Sequence, residues 1–214
     1  NDDSFFALLN DGGSASSMTL LAPISTGDLP VDILIINIDD DVDNDVVIAC
    51  YGEEPFNSSG GIAGELRFYE ATPSMRVGFT LAGAIPLEKP GKIDPGDVTN
   101  PKDIDIMITS NVSSKSVVVK RDSGASGFDW SVVQEIAVGA NPDAIDLGDL
   151  DNDGDDDAVI ANRGSDNLSI LVKNSTGEYD DEIVIEVGDR PTSLDLLDYD
   201  GDNDLDLAVI AGDD

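Results

Sequence analysis

The sequence predicts an all-β protein built from repeated four-stranded sheets, and three observations lead to this prediction. A segment recurs along the chain at spacings of 49 to 60 residues, and each copy carries an aspartate-rich turn. A short apolar run follows each turn, as expected for a strand. No helical periodicity is sustained, and glycine, proline, asparagine and serine separate the short runs, which is typical of an all-β fold.

Four acidic loops define the repeat. We call them acidic loops 1 to 4, and they comprise residues 37–45, 97–105, 149–157 and 198–206. A proline lies seven residues before each loop, and an aspartate is the ninth and last residue of each one: Pro30, Pro90, Pro142, Pro191 and Asp45, Asp105, Asp157, Asp206. A merely acidic low-complexity segment would not keep both residue types in register four times. The repeat therefore indicates a repeated structural unit.

Each repeat contains enough strand signals for four antiparallel strands. The runs after the loops, such as VVIACY and AVIA, predict strands that are buried on both sides. A further strand precedes each loop, and two alternating segments follow it: 65–71, 116–121 and 167–174, then 77–83, 132–139 and 182–188. Four short strands in a repeat of this length are the pattern of a β-propeller blade.

The repeat also predicts the domain organisation. Residues 1–214 are expected to form a single β-propeller domain or a fragment of one, whose successive parts are half of a blade, three full blades and another half: 1–27, 28–87, 88–139, 140–188 and 189–214. Two arrangements follow. The favoured one is an arc of a larger propeller, so that the chain is part of a longer protein. In the other, the two halves pair and close a four-bladed ring.

Composition excludes several classes of function. The net charge is −34, with 11 Lys and Arg against 45 Asp and Glu, so the chain has no basic surface for nucleic acid. Histidine is absent, which excludes Ser-His-Asp and Cys-His catalysis. Cys50, in an apolar run, is expected to be a core residue, and no apolar run approaches the length of a membrane span.

The acidic loops carry the candidate chemistry. In acidic loop 3, aspartates occupy positions 1, 3, 5 and 9, and Gly154 at position 6 permits a left-handed backbone. These donors are all hard oxygens, which suit Ca²⁺, whereas Mg²⁺ demands a stricter octahedron and transition metals prefer nitrogen or sulfur. Acidic loop 4 keeps the same aspartates, and Asn203 replaces the glycine. The sequence therefore predicts two calcium sites.

The other two acidic loops depart from this pattern. In acidic loop 1, Asn37 supplies a neutral oxygen at position 1, and Val42 is β-branched at position 6, so a third site is predicted to be weaker. Acidic loop 2 keeps only Asp97 and Asp105 of the four aspartates at positions 1, 3, 5 and 9, and it is expected to be degenerate. An EF-hand is excluded, because position 12 of acidic loop 3 is Ile160, within an apolar run.

These loops resemble the FG-GAP/VCBS repeat family, whose hallmark is D-x-[DN]-x-D-G-x-x-D followed by a small apolar strand, and which includes integrin α-chain propellers and bacterial secreted or surface proteins. The resemblance implies calcium in a loop between the first two strands of a blade, with position 7 binding through its backbone carbonyl. Carried over by position, the implied metal ligands are Asp149, Asp151, Asp153, Asp155 and Asp157; Asp198, Asp200, Asp202, Asp204 and Asp206; and Asn37, Asp39, Asp41, Asp43 and Asp45.

We therefore expect a calcium-binding scaffold for adhesion or ligand binding, located outside the cell or at its surface. The partner would be an extracellular protein or a glycan, and no catalytic residues are predicted. The alternative is an ancillary or catalytic propeller module of a secreted polysaccharide-degrading enzyme. The sequence leaves open whether the long insertion at 50–68 contacts a ligand or is a tolerated surface loop.

Overall fold

The structure is a computed structural model that describes residues 3–10, 18–39, 41, 43–52, 64–71, 78–96, 105–121 and 129–212. These residues form β-strands and turns, so the all-β prediction is confirmed. The chain divides into two compact units, Asn1–Leu87 and Glu88–Asp214, which we call unit 1 and unit 2.

Unit 1 contains one four-stranded sheet and two shorter strand pairs. The short strands are β1 (Ser4–Phe5), β2 (Leu8–Asn10), β3 (Met18–Leu20) and β4 (Ile24–Ser25), and β1 pairs with β4 while β2 pairs with β3. The sheet has the order β5 (Pro30–Ile36), β6 (Asp45–Cys50), β7 (Glu65–Ala71) and β8 (Phe79–Pro86), and every neighbouring pair is antiparallel.

Unit 2 repeats the same sheet twice and then its first two strands. One sheet consists of β9 (Pro90–Gly96), β10 (Asp105–Ser110), β11 (Lys115–Arg121) and β12 (Trp130–Ala137). The next consists of β13 (Pro142–Gly148), β14 (Asp157–Asn162), β15 (Asn167–Leu171) and β16 (Ile183–Glu186). The last strands, β17 (Pro191–Leu197) and β18 (Asp206–Ala211), form an antiparallel pair. Consecutive strands pair in chain order, as in propeller blades.

The runs that follow the acidic loops become the second strands of these sheets. All six residues of β6, of β10 and of β14 are buried, which confirms the prediction of strands covered on both sides. For β18 the prediction was wrong, because exposed and half-buried residues alternate along it. One face of β18 packs on the preceding sheet, whereas Ile210 on the other face is 67% exposed, since no described sheet covers that side.

The core of unit 1 joins its short N-terminal strands to its sheet. Phe5 contacts Tyr69 and Phe79 edge-on, with ring centroids 5.5 and 5.7 Å apart, and Cys50 is buried in the same cluster. The Tyr69 hydroxyl donates to the carbonyl oxygen of Ser25 at 2.9 Å. The expectation that Cys50 is a core residue is thus confirmed, and burial raises the pKa of its thiol to about 11.

The core of unit 2 is continuous from one sheet to the next. The first strands β9, β13 and β17 pack side by side, and apolar clusters fill the spaces between the sheets. Aspartates on two of these strands also join neighbouring sheets. Asp94 accepts from the backbone N–H of Leu147 at 3.0 Å, and Asp146 accepts from that of Leu196 at 2.7 Å. The same register position therefore makes the same contact at successive junctions.

The residue before each repeat proline adopts a left-handed backbone, which the sequence did not predict. The four residues have φ between 48° and 52°, and they are Leu29, Lys89, Asn141 and Arg190. A proline itself cannot adopt a positive φ, so the residue before it takes the reversal that leads the chain into each first strand.

Candidate metal centre

Acidic loop 3 connects β13 to β14 and draws three carboxylates together. Side-chain oxygens of Asp149, Asp151 and Asp153 lie within 4.8 Å of one another. The loop curls because the Asp149 carboxylate accepts backbone N–H groups from Asp153 and Gly154, both at 3.0 Å. The alternating aspartates continue the curl, since Asp151 accepts from the N–H of Asp153 at 3.2 Å and Asp153 from that of Asp155 at 3.0 Å.

Acidic loop 4 connects β17 to β18 with the same curl. Side-chain oxygens of Asp198, Asp200 and Asp206 lie within 4.8 Å of one another. Asp198 accepts N–H groups from Gly201 at 2.7 Å and from Asn203 at 3.1 Å. Asp202 and Asp204 continue the series of turns, because the Asp202 carboxylate accepts from the N–H of Asp204 at 2.9 Å.

Two positions in each of these loops have a left-handed backbone. At position 6, Gly154 has a φ of 97° and Asn203 a φ of 74°, which confirms that asparagine takes the conformation of the glycine. At position 4, Asn152 has a φ of 61° and Gly201 a φ of 83°. Glycine and asparagine thus exchange places between the two loops. No atom lies within 4 Å of a Cβ built on Gly154, so its backbone angle, and not lack of space, favours glycine there.

The aspartate at position 9 closes each loop. In acidic loop 3 both oxygens of Asp157 accept backbone N–H groups, from Leu150 at 3.0 Å and from Lys173 at 2.8 Å. In acidic loop 4 Asp206 accepts from Tyr199 at 2.9 Å. Desolvation raises the pKa of Asp157, although its two backbone hydrogen bonds act in the opposite direction. A carboxylate oxygen that accepts one hydrogen bond keeps a further lone pair for a cation.

Acidic loop 1 keeps the closure but does not bring its carboxylates together in the same way. Asp45 accepts from Ile38 at 2.8 Å and from Ala71 at 2.7 Å, and desolvation raises its pKa as it does that of Asp157. Among the described residues of this loop, no three carboxylates form a group as close as those of acidic loops 3 and 4. Asp39, Asp41 and Asp43 lie along a series of turns instead.

Acidic loop 2 lies mostly outside the described residues. Of the two aspartates that it keeps at positions 1 and 9, only Asp105 is described, at the start of β10, where it is fully buried. The prediction that this loop is degenerate stays a prediction. The insertion at 50–68 is described only at its ends, so its role is likewise untested.

The side chains at position 7 point to contacts that the sequence did not predict. The ammonium of Lys173 lies 3.3 Å from the Asp155 carboxylate in acidic loop 3. In acidic loop 4, the Asp204 carboxylate accepts from the side-chain amide of Asn152 at 2.7 Å, which links the two loops directly. Lys173 lies two residues after Leu171, which pairs with Ala158 near the start of β14. An alignment of the residues at this position in each repeat would have drawn attention to Lys173. Nothing in the sequence pairs Asn152 with Asp204.

The donor groups in acidic loops 3 and 4 fit a hard divalent cation. Each gathers three carboxylates, has more carboxylates in the same turn, and offers oxygen as its only side-chain donor element. Carboxylates this close repel one another unless a cation offsets their charge. The residues that would hold such an ion are the aspartates at odd-numbered positions of these two loops.

Comparison with known families agrees with this geometry. Residues 149–209, which include acidic loops 3 and 4, match the FG-GAP-like repeat. This segment is similar to the FG-GAP-like repeat. The resemblance drawn from the loop spacing is thereby confirmed over these residues, and the repeat begins at position 1 of acidic loop 3 and ends within β18.

Solved structures with the same fold extend the comparison beyond the FG-GAP-like repeat. A functionally unknown protein from Desulfotomaculum acetoxidans has a TM-score of 0.65 at 15% identity, over 98% of this chain and 56% of that one. A protein from Lactobacillus plantarum has a TM-score of 0.56 at 17% identity, over 90% and 54%. BBS1N, in complex with ARL6DN and soaked with lead, has a TM-score of 0.52 at 15% identity, over 87% and 56%.

These likenesses show the fold alone, because the identities are low. Together with the FG-GAP-like repeat, they support a β-propeller-like arrangement of the sheets. The chain spans little more than half the length of these three structures. No curated protein matches it significantly by sequence. Within the described residues, no helix has the length and hydropathy needed to cross a membrane.

Proposed function

We propose that this chain is a calcium-binding propeller scaffold that binds a protein or glycan partner outside the cell or at its surface, without enzymatic activity. One observation carries the proposal. Two successive acidic loops, both within the FG-GAP-like repeat, each gather three carboxylates whose oxygens lie within 4.8 Å. A scaffold of repeated blades that is held by metal ions can present its variable loops to a partner.

Charge supports a requirement for cations. With a net charge of −34, the folded chain concentrates negative charge, and this destabilises compact states. A cation that binds the folded loops and not the unfolded chain contributes about 2.7 kcal/mol per site at a hundredfold excess over Kd. Extracellular calcium modules have dissociation constants of roughly 10⁻⁴ to 10⁻³ M, a range suited to extracellular calcium. A requirement for calcium in this concentration range supports function outside the cytoplasm.

The position of the acidic residues supports a scaffold in preference to a catalyst. The clustered aspartates belong to the loop register, where they accept backbone N–H groups and close turns. The sequence contains no histidine to serve as a general base. A partner protein is compatible with the fold, since the similar BBS1N structure was solved in complex with ARL6DN.

Calcium removal tests the metal requirement. We expect EGTA to lower the Tm by on the order of 10 °C, because two occupied sites are lost and about 1 kcal/mol corresponds to 2–4 °C for a chain of this size. Titration calorimetry should detect two sites. Asp151→Asn with Asp153→Asn should abolish one of them, whereas Asp189→Asn, at an exposed position outside the loops, should abolish none.

An unchanged melting curve in EGTA, together with no calorimetric binding, would refute calcium dependence. A glycan array in calcium and in EGTA then tests the partner class. Calcium-dependent binding without turnover supports the scaffold, and turnover of an acidic glycan would favour the enzyme-module alternative.

A further inference from the structure

Lys173 is a buried cation beside acidic loop 3. The residue is 2% exposed and lies two places after the end of β15, where it forms an isolated bridge with Tyr179. Its backbone N–H donates to the Asp157 carboxylate at 2.8 Å, and its ammonium lies 3.3 Å from the Asp155 carboxylate. The residue therefore contacts the loop through both its backbone and its side chain.

The neighbouring residues hold this arrangement in place. The Tyr179 hydroxyl donates to the carbonyl oxygen of Asp156 at 3.1 Å, and the N–H of Asp180 donates to the carbonyl oxygen of Val172 at 2.9 Å. The Tyr179 backbone also exchanges hydrogen bonds with the side chain of Gln134. The turn at 172–180 is thus attached to acidic loop 3 on one side and to β12 on the other.

The corresponding position in unit 1 shows that the backbone contact does not require a lysine. Asp45 accepts from the backbone N–H of Ala71 at 2.7 Å, just as Asp157 accepts from that of Lys173. Alanine suffices for that hydrogen bond. Burying an ammonium is unfavourable by several kcal/mol unless it is paired. The Lys173 ammonium is paired with the Asp155 carboxylate, and this ion pair is a contact separate from the backbone hydrogen bond.

The ion pair acts on position 7 of acidic loop 3. The Asp155 side chain is 34% exposed, and that of Lys173 only 1%, so the ion pair holds Asp155 against the buried base of the loop. Asp155 also donates its N–H to Asp153, one of the three gathered carboxylates. An anchor on Asp155 therefore restrains the part of the turn that brings the carboxylates together.

We propose that Lys173 is a built-in counterion that keeps acidic loop 3 in its metal-binding conformation when no metal ion is bound. The inference deepens the proposed function and rests on it, because it assigns to one residue the control of how strongly this loop depends on calcium. Acidic loop 1, with Ala71 at the same position, has no such counterion there.

Hydrogen exchange on the full chain tests this inference. The amides of Asp153 and Gly154, which donate to Asp149, report on the curl of the loop. In EGTA, Lys173→Met should speed their exchange about tenfold, and calcium should restore most of the protection because the metal replaces the missing charge. Lys173→Arg should exchange like the wild type, since it keeps the charge.

Two further variants separate the counterion from simple packing. Asp155→Asn removes the pair from its exposed side and keeps the backbone carbonyl, so it should also speed exchange in EGTA. Lys115→Met is the control, because it removes a lysine that pairs with Glu135 at 2.7 Å. Lys115 begins β11 and lies opposite Ser110, the last residue of β10. This variant should leave exchange in acidic loop 3 unchanged.

The outcomes distinguish this inference from the function on which it rests. Equal loss of protection with and without calcium in Lys173→Met, or no effect of Asp155→Asn, would overturn the counterion. Absence of calorimetric calcium binding by the wild type would instead overturn the proposed function. The comparison in EGTA would then still decide whether Lys173 holds the loop.

Discussion

Acidic loops 1 and 3 share the same backbone closure, but among the described residues only acidic loop 3 brings three carboxylates together. In both, the aspartate at position 9 accepts the N–H of position 2 and that of a residue at the end of the third strand (Ala71) or two places after it (Lys173), at distances between 2.7 and 3.0 Å. In acidic loop 3, Asp149 then accepts two more N–H groups, whereas Asn37 in acidic loop 1 uses its amide to donate to the carbonyl oxygen of Asp41 at 2.6 Å. Position 9 thus closes both hairpins, and the two loops differ in the contacts of position 1.

The largest expected effect comes from removing the closure that the two loops share. Asp157→Ala should destabilise unit 2 by about 3 kcal/mol, because it leaves the buried N–H of Lys173 and the half-buried N–H of Leu150 without an acceptor. Asp45→Ala should have an effect of similar size on unit 1. Urea denaturation in EGTA measures both effects without a contribution from bound metal. A decrease in the free energy of unfolding below 1 kcal/mol for either variant would show that the closure does not stabilise both units. Asp157→Asn, which keeps one acceptor oxygen, should lower the free energy of unfolding by less than Asp157→Ala.

A smaller effect is expected from exchanging position 6 between the two loops. Gly154→Val introduces a β-branched residue at a φ of 97°, so it should destabilise acidic loop 3 by about 2 kcal/mol and weaken its calcium binding at least tenfold. Gly154→Asn copies acidic loop 4 and should bind almost as well as the wild type. The reverse change, Val42→Gly, should strengthen calcium binding by acidic loop 1. Calorimetry measures all three, and equal affinities for the valine and asparagine variants would contradict the conformational explanation.

The smallest effect near neutral pH concerns Cys50, which ends the strand that begins at acidic loop 1. Burial raises the pKa of its thiol from 9.0 to about 11, so the folded state keeps a proton that the unfolded chain releases. The stability of unit 1 should therefore fall as the pH rises from about 9 to about 11, and it should not depend on this thiol below that range. Urea denaturation across this range, compared with Cys50→Ala, isolates the contribution, and identical slopes for both chains would contradict it.

Much of the fold follows from short-range pattern. The segment predicted at 65–71 is β7, and the runs after the acidic loops are β6, β10, β14 and β18. Strand alternation and turn residues act over a few positions, so they can be read without knowledge of neighbouring sheets. The exposed face of β18 was mispredicted because its sequence resembles that of β14, and only the sheets around a strand decide which of its faces is covered.

The candidate site likewise has features that local sequence predicts and features that depend on packing. The spacing of the aspartates and the left-handed residue at position 6 were predictable, because nine consecutive residues contain them. The partners of position 7 were not predictable: Lys173 is 18 residues from Asp155, and Asn152 is 52 residues from Asp204. Such contacts depend on how a later turn folds over the loop and on how one sheet packs on the next.

The sequence by itself therefore determined the strands, their repeat and the oxygen donors of each acidic loop, since these depend on local spacing and on side-chain chemistry. The tertiary structure decided which carboxylates converge, which loop receives a buried lysine, and which loops are linked to each other. The physical reason is range: backbone turns join residues a few positions apart, whereas charge pairing and burial depend on distances that only the packed sheets set.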